Sequence, residues 1–161
     1  MFQLAENMKI VNLLAPAADA AGRTGAYVSL KNAIKAWIVV NVTQGNAATI
    51  ALDPLQATAV AGTGSKALTN NTRIWSNLDT AAGDTLVART AAKTYTTDAG
   101  VKLKQVIFEI DPAACMDIAG GFDCISVSTG ASNAANITEA QLFILNKYSG
   151  AVDTIPSAVA D

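Results

Sequence analysis

Residues 36–44 read Ala-Trp-Ile-Val-Val-Asn-Val-Thr-Gln, and their alternation is the strongest indication of the fold in this chain. Ile38, Val40 and Val42 share one face of this segment, while apolar and polar side chains mix on the other. Period-two alternation with β-branched residues is typical of a β-strand. Gly45-Asn46 follows and is a signal for a tight hairpin. It predicts a return strand over 48–52, ended by Asp53-Pro54.

Further segments have the same character and surround one predicted helix. Strands are expected at 73–78, 84–88, 101–110, 123–128 and 140–147. Asp111-Pro112 is a helix start and Gly120-Gly121 a stop, which predicts a short helix over 112–119. Many short strands separated by turn signals predict an all-β fold, an antiparallel β-sandwich or barrel. Long helices alternating with strands are missing, which argues against a nucleotide-binding α/β fold.

The alternation also predicts the core. Twelve apolar side chains share the inward faces of these strands, and we expect them to be buried: Ile38, Val40, Val42, Ile50, Leu52, Val106, Phe108, Ile110, Ile125, Val127, Leu142 and Ile144. Both faces of residues 140–147 are apolar, so we expect both to be covered. Cys115 and Cys124 do not have the spacing of a redox or zinc motif. They are expected as small buried side chains, with a disulfide or a reactive thiol as alternatives.

The two ends of the chain differ from the middle in composition. Residues 1–24 are predicted to be an N-terminal arm and connector, 25–150 the β-sandwich domain, and 151–161 a short tail that is mobile or lies on a neighbouring molecule. Phe2, Leu4, Met8, Ile10 and Leu13 make the arm apolar, so we expect it to be paired with a partner. The alternative is that this segment is the first strand of the protein's own sandwich.

Composition excludes several classes of function. The chain of 161 residues has a formal net charge of −2 and only 15% charged residues. It therefore lacks the excess of basic residues that a nucleic-acid-binding surface needs. No apolar run is long enough to span a membrane, and residues 1–6 lack the pattern of a secretory signal, so neither feature is expected. Histidine is absent, which removes the Ser-His-Asp triad and every His-ligated metal site. We therefore predict no catalysis, no bound metal and no cofactor.

The remaining motifs have no clear chemical meaning. Gly62 to Ala67 resembles a phosphate-binding loop, but no strand pattern precedes it and no helix pattern follows, so a flexible loop is expected. Trp37 and Trp75 lie on predicted strands beside polar neighbours. They fit the edge of the core, an exposed interface anchor, or a platform for stacking sugars. Sequence alone leaves these alternatives open.

Four segments together resemble small virion structural proteins of tailed bacteriophages. They are KAWIVVNVTQG at 35–45, KQVIFEIDPA at 104–113, GGFDCISV at 120–127 and STGASNAANI at 128–137, and the likeness extends over about residues 25–147. Such proteins often decorate capsids and have a jelly-roll-like β-sandwich. The resemblance implies a non-enzymatic protein on the outer surface of the virion capsid. Its partners would be the major capsid protein and further copies of itself, as a dimer or trimer.

Two other classes of function stay open at this point. The first is another virion part, a head–tail connector or tail structural protein, which would be present in a fixed and small number of copies. The second is a β-sandwich module that binds carbohydrate or a receptor, which would have an exposed aromatic platform on one sheet or loop rim. The predicted capsid or partner interface combines residues of the arm with Trp37 and Trp75, and only the two tryptophans would also fit the sugar-binding alternative.

Overall fold

The computed structural model describes residues 4–148 and 156–160, which form two six-stranded antiparallel sheets and two four-residue helices. None of the described helices is long and apolar enough to cross a membrane. The element bounds are α1 Leu4–Asn7, β1 Met8–Ala18, β2 Arg23–Thr24, β3 Val28–Ser29, β4 Ala33–Gln44, β5 Ala51–Ala57, β6 Lys66–Ala67, β7 Thr72–Asn77, β8 Val87–Ala92, β9 Tyr95–Thr96, β10 Leu103–Ile110, α2 Pro112–Cys115, β11 Cys124–Thr129 and β12 Asn136–Asn146.

The sheets have the strand order of a jelly roll. The front sheet runs β1-β12-β4-β10-β7-β8, and the back sheet runs β2-β11-β5-β6, with β3 paired to β11 and β9 to β5. The chain crosses to the back sheet after β1, β4, β8 and β10, and it returns to the front sheet after β3, β6, β9 and β11. β7 and β8 extend the front sheet beyond β10. The predicted antiparallel β-sandwich is confirmed.

The core lies between the sheets, and the predicted inward faces are confirmed. All twelve predicted core residues are buried, and Phe108 of β10 lies between Ile38 of β4 and Ile74 of β7 in the register of the sheet. Cys115 and Cys124 are also buried, and both are free thiols. The period-two pattern predicted these faces because a side chain's face follows from its parity along the strand.

The predicted hairpin at Gly45-Asn46 is wrong. β4 pairs with β12 and β10, while the chain after Gly45 crosses to the back sheet and enters β5. Gly45 runs so close to β12 that a Cβ there would lie 2.5 Å from the carbonyl oxygen of Ala135. The Asn46 N–H then donates to Oδ1 of Asn136 over 2.8 Å. The turn is therefore held by contacts from a distant strand and not by a return strand.

Proline 54 does not end a strand as predicted. Pro54 lies inside β5, opposite Val127 of β11. On the other side of β5, β9 pairs only with residues 51–52 and β6 only with 55–56. A proline lacks the N–H that a second neighbouring strand would need. It is accommodated here because it falls in the gap between the two short strands.

The helix and one strand are displaced from their predicted bounds. Asp111 caps α2 as expected, since its side chain accepts a hydrogen bond from the Ala113 N–H. The helix ends at Cys115 and not at residue 119, because Met116 is extended and residues 117–121 turn instead. The strand predicted over 84–88 is found as β8, Val87–Ala92.

The N-terminal segment is a strand of the sandwich, so the predicted arm is wrong from residue 8 onward. β1 pairs antiparallel with β12 along its length, from Met8 opposite Leu145 to Ala18 opposite Ile137. A register shift after Asn12 brings both Leu13 and Leu14 into the core. The domain therefore begins before residue 25, because the core needs side chains from β1.

Part of the predicted tail is docked on the body. Residues 151–155 and 161 of the segment lie outside the described residues. Within 156–160, the carbonyl of Ala158 accepts a hydrogen bond of 2.7 Å from the Ser29 N–H, and Ala158 packs against the core. This contact is with the chain itself and not with a neighbouring molecule.

Candidate interaction surface

Alternate residues of the front sheet form a broad solvent-facing surface, here called the front face. The register aligns its residues in rows across the strands. One row contains Ile10, Phe143 and Trp37, and the next contains Val39, Ile107 and Trp75. These are large apolar side chains on the side of the sheet away from the core.

Trp37 lies on β4, the third strand of the front sheet, Trp75 lies on β7, the fifth, and both side chains are half-buried. Trp37 lies between Phe143 and Glu109 in the register, and Trp75 lies between Ile107 and Ala88. Each is flanked by residues of neighbouring strands, and its side chain is partly exposed. The side chains of Trp37 and Trp75 therefore lie outside the core that the two sheets enclose.

The charges near the tryptophans are paired. Nζ of Lys35 lies 2.5 Å from Oε1 of Glu109, and Nη1 of Arg73 lies 4.0 Å from the same oxygen. The formal charges of these three groups sum to +1, and both cations contact the same carboxylate. If this part of the face were buried against another protein, each cation would keep a carboxylate partner.

The front face also has a depression of about 370 Å³ at its other end. Pro16, Leu103 and Ile137 form apolar walls, while Asn41 and Glu139 are polar residues of the lining. Nε2 of Gln105 donates to Oδ1 of Asn41, and Nδ2 of Asn41 donates to Oε1 of Glu139, each over 3.0 Å. The three residues are register partners on β10, β4 and β12.

The buried charged residues link elements of the fold. Oδ1 of Asp19 is 3.1 Å from Nη2 of Arg23 and accepts a hydrogen bond from Thr129. The side chain of Lys104 is fully buried, and its Nζ donates to Oδ1 of Asp98 over 2.5 Å. The hydrogen bond from Lys104 holds the pKa of the Asp98 carboxyl below its usual value.

The thiols and carboxylates form no recognisable reaction centre in the part of the chain that the structure describes. Burial raises the pKa of the Cys115 thiol to about 11, so it is protonated at neutral pH. Among residues 4–148 and 156–160, no group of three or more Cys, Asp and Glu is placed to hold a metal ion. Absence of catalysis, metal and cofactor stays a prediction.

Comparisons with known proteins give one structural likeness and no family. No protein-family model and no curated protein sequence matches this chain. The chain is similar to the crystal structure of SPBc2 prophage-derived protein YomS, with 8% sequence identity and a TM-score of 0.48, over 86% of this chain and 92% of that one. A likeness at this level carries no conclusion about function.

The structure divides the predicted interface residues into three groups. Met8, Ile10, Trp37 and Trp75 lie on the front face by their register. Leu4 is exposed in α1, which precedes β1. Leu13 is buried in the core, so its prediction as an interface residue is wrong, and Phe2 lies outside the described residues.

Sequence reasoning missed several residues of the front face. Phe143, Ile107 and Val39 surround the tryptophans, and Glu139 lines the depression. A signal for the apolar ones existed, because strands with apolar residues on both faces predict a covered sheet. No local signal marks Glu139, since its surroundings come from strands far away along the chain.

Proposed function

We propose that this protein is a structural virion protein that binds the outside of a tailed-phage capsid and stabilises the shell by bridging major capsid protein subunits. The observation that supports this most is the front face, where apolar rows with two tryptophans lie beside paired charges. The sequence resemblance to phage virion proteins supplies the partner. Homo-oligomerisation, as a dimer or trimer, belongs to the same proposal.

The size of the front face suits such a contact. Six strands about 4.8 Å apart span about 24 Å, and eight residues of β10 extend about 27 Å. The face therefore covers roughly 650 Å², close to the approximately 800 Å² that each partner contributes to an interface of ordinary size. Tryptophans in such a patch often supply much of the binding energy.

The energetic logic of a decoration protein is mass action. A protein that binds the assembled shell and not its free subunits stabilises the shell by an amount that rises with the logarithm of its concentration relative to its dissociation constant. A rigid sandwich is suited to this role because little order is lost on binding. Each bound copy adds a small stabilising free energy, and many copies together reinforce the particle.

Add-back to undecorated heads tests the proposal. Heads purified from a phage whose copy of this gene is deleted are mixed with the protein, sedimented and analysed for bound chain and for thermal stability. We expect saturable binding in many copies per particle and a higher melting temperature of the shell. Failure to co-sediment, or binding that does not stabilise the shell, would contradict the proposal.

Two variants test the face. Trp75→Ala is expected to weaken binding about thirtyfold, the loss of a hot-spot residue of about 2 kcal/mol. Ile118→Ala is the matched control, because Ile118 is 47% exposed and lies beyond α2, outside the front sheet. Equal binding by both variants, with unchanged circular dichroism, would show that the front face is not the contact.

The alternative functions give different outcomes in the same experiments. A connector or tail protein would be found in a small fixed copy number at one site on the particle. A carbohydrate-binding module is favoured by one observation, two half-exposed tryptophans on one sheet face. It would bind oligosaccharides through Trp37 or Trp75 and would not sediment with heads.

A further inference from the structure

We propose that the depression beside Glu139 receives an arginine side chain from the protein that docks on the front face. This inference rests on the proposed function for the location of the partner and adds the chemistry of one contact. It starts from the position of Glu139 in the sheet. Glu139 follows Thr138 on β12, at the point where β1 departs from regular pairing.

The irregularity in β1 creates the depression. Between Leu14 opposite Ala140 and Ala17 opposite Thr138, the register shifts, so Glu139 has no regular partner on β1. Pro16 lies in this bulge and lines the depression. Arg23 holds the bulge in place by donating to the carbonyls of Ala15 and Ala17 over 2.9 and 3.0 Å.

The side-chain amides of Gln105 and Asn41 orient the carboxylate of Glu139. Gln105 donates to Asn41, and Asn41 donates to Oε1 of Glu139. One carboxylate oxygen is therefore engaged by a neutral donor, and a carboxylate can accept several more hydrogen bonds. In the described residues, no cation lies within 4 Å of Glu139, unlike Glu109 with its two cations.

The other charges nearby are already engaged. Arg23 is bound to Asp19, and the Lys104 head group is bound to Asp98. Nζ of Lys102 lies 2.7 Å from Oδ2 of Asp79. Asp79 directly precedes Thr80, which lines the depression. Pairing leaves these cations less able to compensate the charge of Glu139.

The walls of the depression determine which cation fits. Leu103 and Ile137 are 45% and 41% exposed there, and Pro16 adds a third apolar wall. Arginine buries a methylene stem against such walls and places a planar guanidinium on a carboxylate through two parallel hydrogen bonds. Lysine offers a strongly hydrated point charge instead, which gains less from a half-buried carboxylate.

A small probe separates this inference from the proposed function. N-acetyl-arginine methylamide is titrated into the full chain at constant ionic strength, and amide and methyl shifts are followed by NMR. The matched neutral probe is N-acetyl-citrulline methylamide. We expect saturable shifts at Asn41, Leu103 and Ile137 with arginine only, with a dissociation constant in the millimolar range.

Two variants complete the test. Glu139→Gln keeps the shape of the side chain and is expected to abolish the arginine shifts and to weaken binding to heads about tenfold. Glu109→Gln is the matched control on the same face, because its charge is already paired, and should retain the arginine shifts.

The two proposals fail in different ways. No saturable shift up to roughly 100 mM arginine probe, equal shifts with citrulline, or full arginine binding by Glu139→Gln would overturn the arginine site. Head binding by the unaltered chain would still support the proposed function in each of those cases. Arginine binding without head binding would support the site and overturn the proposed function.

Discussion

Replacing Phe108 by alanine tests the packing of the whole sandwich. Phe108 is fully buried at the centre of β10, between Ile38 and Ile74 on the inner side of the front sheet. The preceding residue, Ile107, lies on the front face between Val39 and Trp75. Two neighbours in sequence therefore lie in different surroundings, and Ile107→Ala is the matched control.

The expected losses follow from burial. Removing the ring of Phe108 forfeits about 2 kcal/mol of transfer free energy. A cavity of up to about 100 Å³, at about 24 cal/mol per Å³, adds up to about 2.4 kcal/mol. Phe108→Ala should therefore lower the free energy of unfolding by about 3–5 kcal/mol. Ile107→Ala leaves no closed cavity and should cost about 1 kcal/mol.

Urea unfolding measures both variants. The fluorescence of Trp37 and Trp75 and far-ultraviolet circular dichroism follow the transition, and the midpoint and slope give the free energy of unfolding. A cost for Ile107→Ala equal to or greater than that for Phe108→Ala would refute the assignment of inner and outer faces. Helix content above about a third in the unaltered protein would refute the sandwich itself.

Three further predictions follow from single features of the structure. Deleting residues 1–16 should unfold or strongly destabilise the domain in a thermal melt, because β1 covers β12 and supplies Leu13 and Leu14 to the core. Asp98→Asn should lower stability at neutral pH, because it leaves the buried Lys104 without its carboxylate. The pKa of Asp98 is lowered in the folded state. The Asp98–Lys104 pair therefore stabilises the folded state at pH values above the usual carboxyl pKa near 4, and this stabilisation is lost as the pH falls through the pKa of Asp98 in the folded protein. Cys115 should resist Ellman's reagent at pH 8 until the protein is unfolded, because burial raises the pKa of its thiol to about 11.

Each of these has a discriminating outcome. A truncated protein that melts like the full chain would restore the arm hypothesis for residues 1–16. A stability difference between Asp98→Asn and the unaltered protein that persists unchanged at pH 2 would show that the carboxylate charge is not responsible. Rapid labelling of Cys115 without unfolding, with Cys115→Ala as the reference, would show that the thiol is accessible.

The faces of the strands could be read from sequence because they depend on neighbouring residues only. Ile38, Val40 and Val42 alternate with Trp37, Val39 and Asn41, and parity alone assigns them to opposite sides of β4. The cap at Asp111 is similarly local, since its side chain bonds two residues ahead. These predictions needed no knowledge of strand partners.

The partners of the strands were not readable in the same way. Gly45-Asn46 has the composition of a hairpin turn, yet the chain there is held by Ala135 and Asn136, about ninety positions away. Pro54 is a strand breaker by composition, yet it fits a gap that β6 and β9 leave. Local propensity was outweighed by pairing with distant strands.

For this protein, sequence alone predicted the all-β class and the core faces, and it favoured two buried cysteines over a disulfide or a reactive thiol. Tertiary structure decided that β1 belongs to the sandwich and which side chains share the front face. Asn41, Gln105 and Glu139 form one hydrogen-bonded row although they are 64 and 98 positions apart along the chain. Alternation is a property of one strand, whereas a row across strands exists only after the register of the entire sheet is set by burial of its other face.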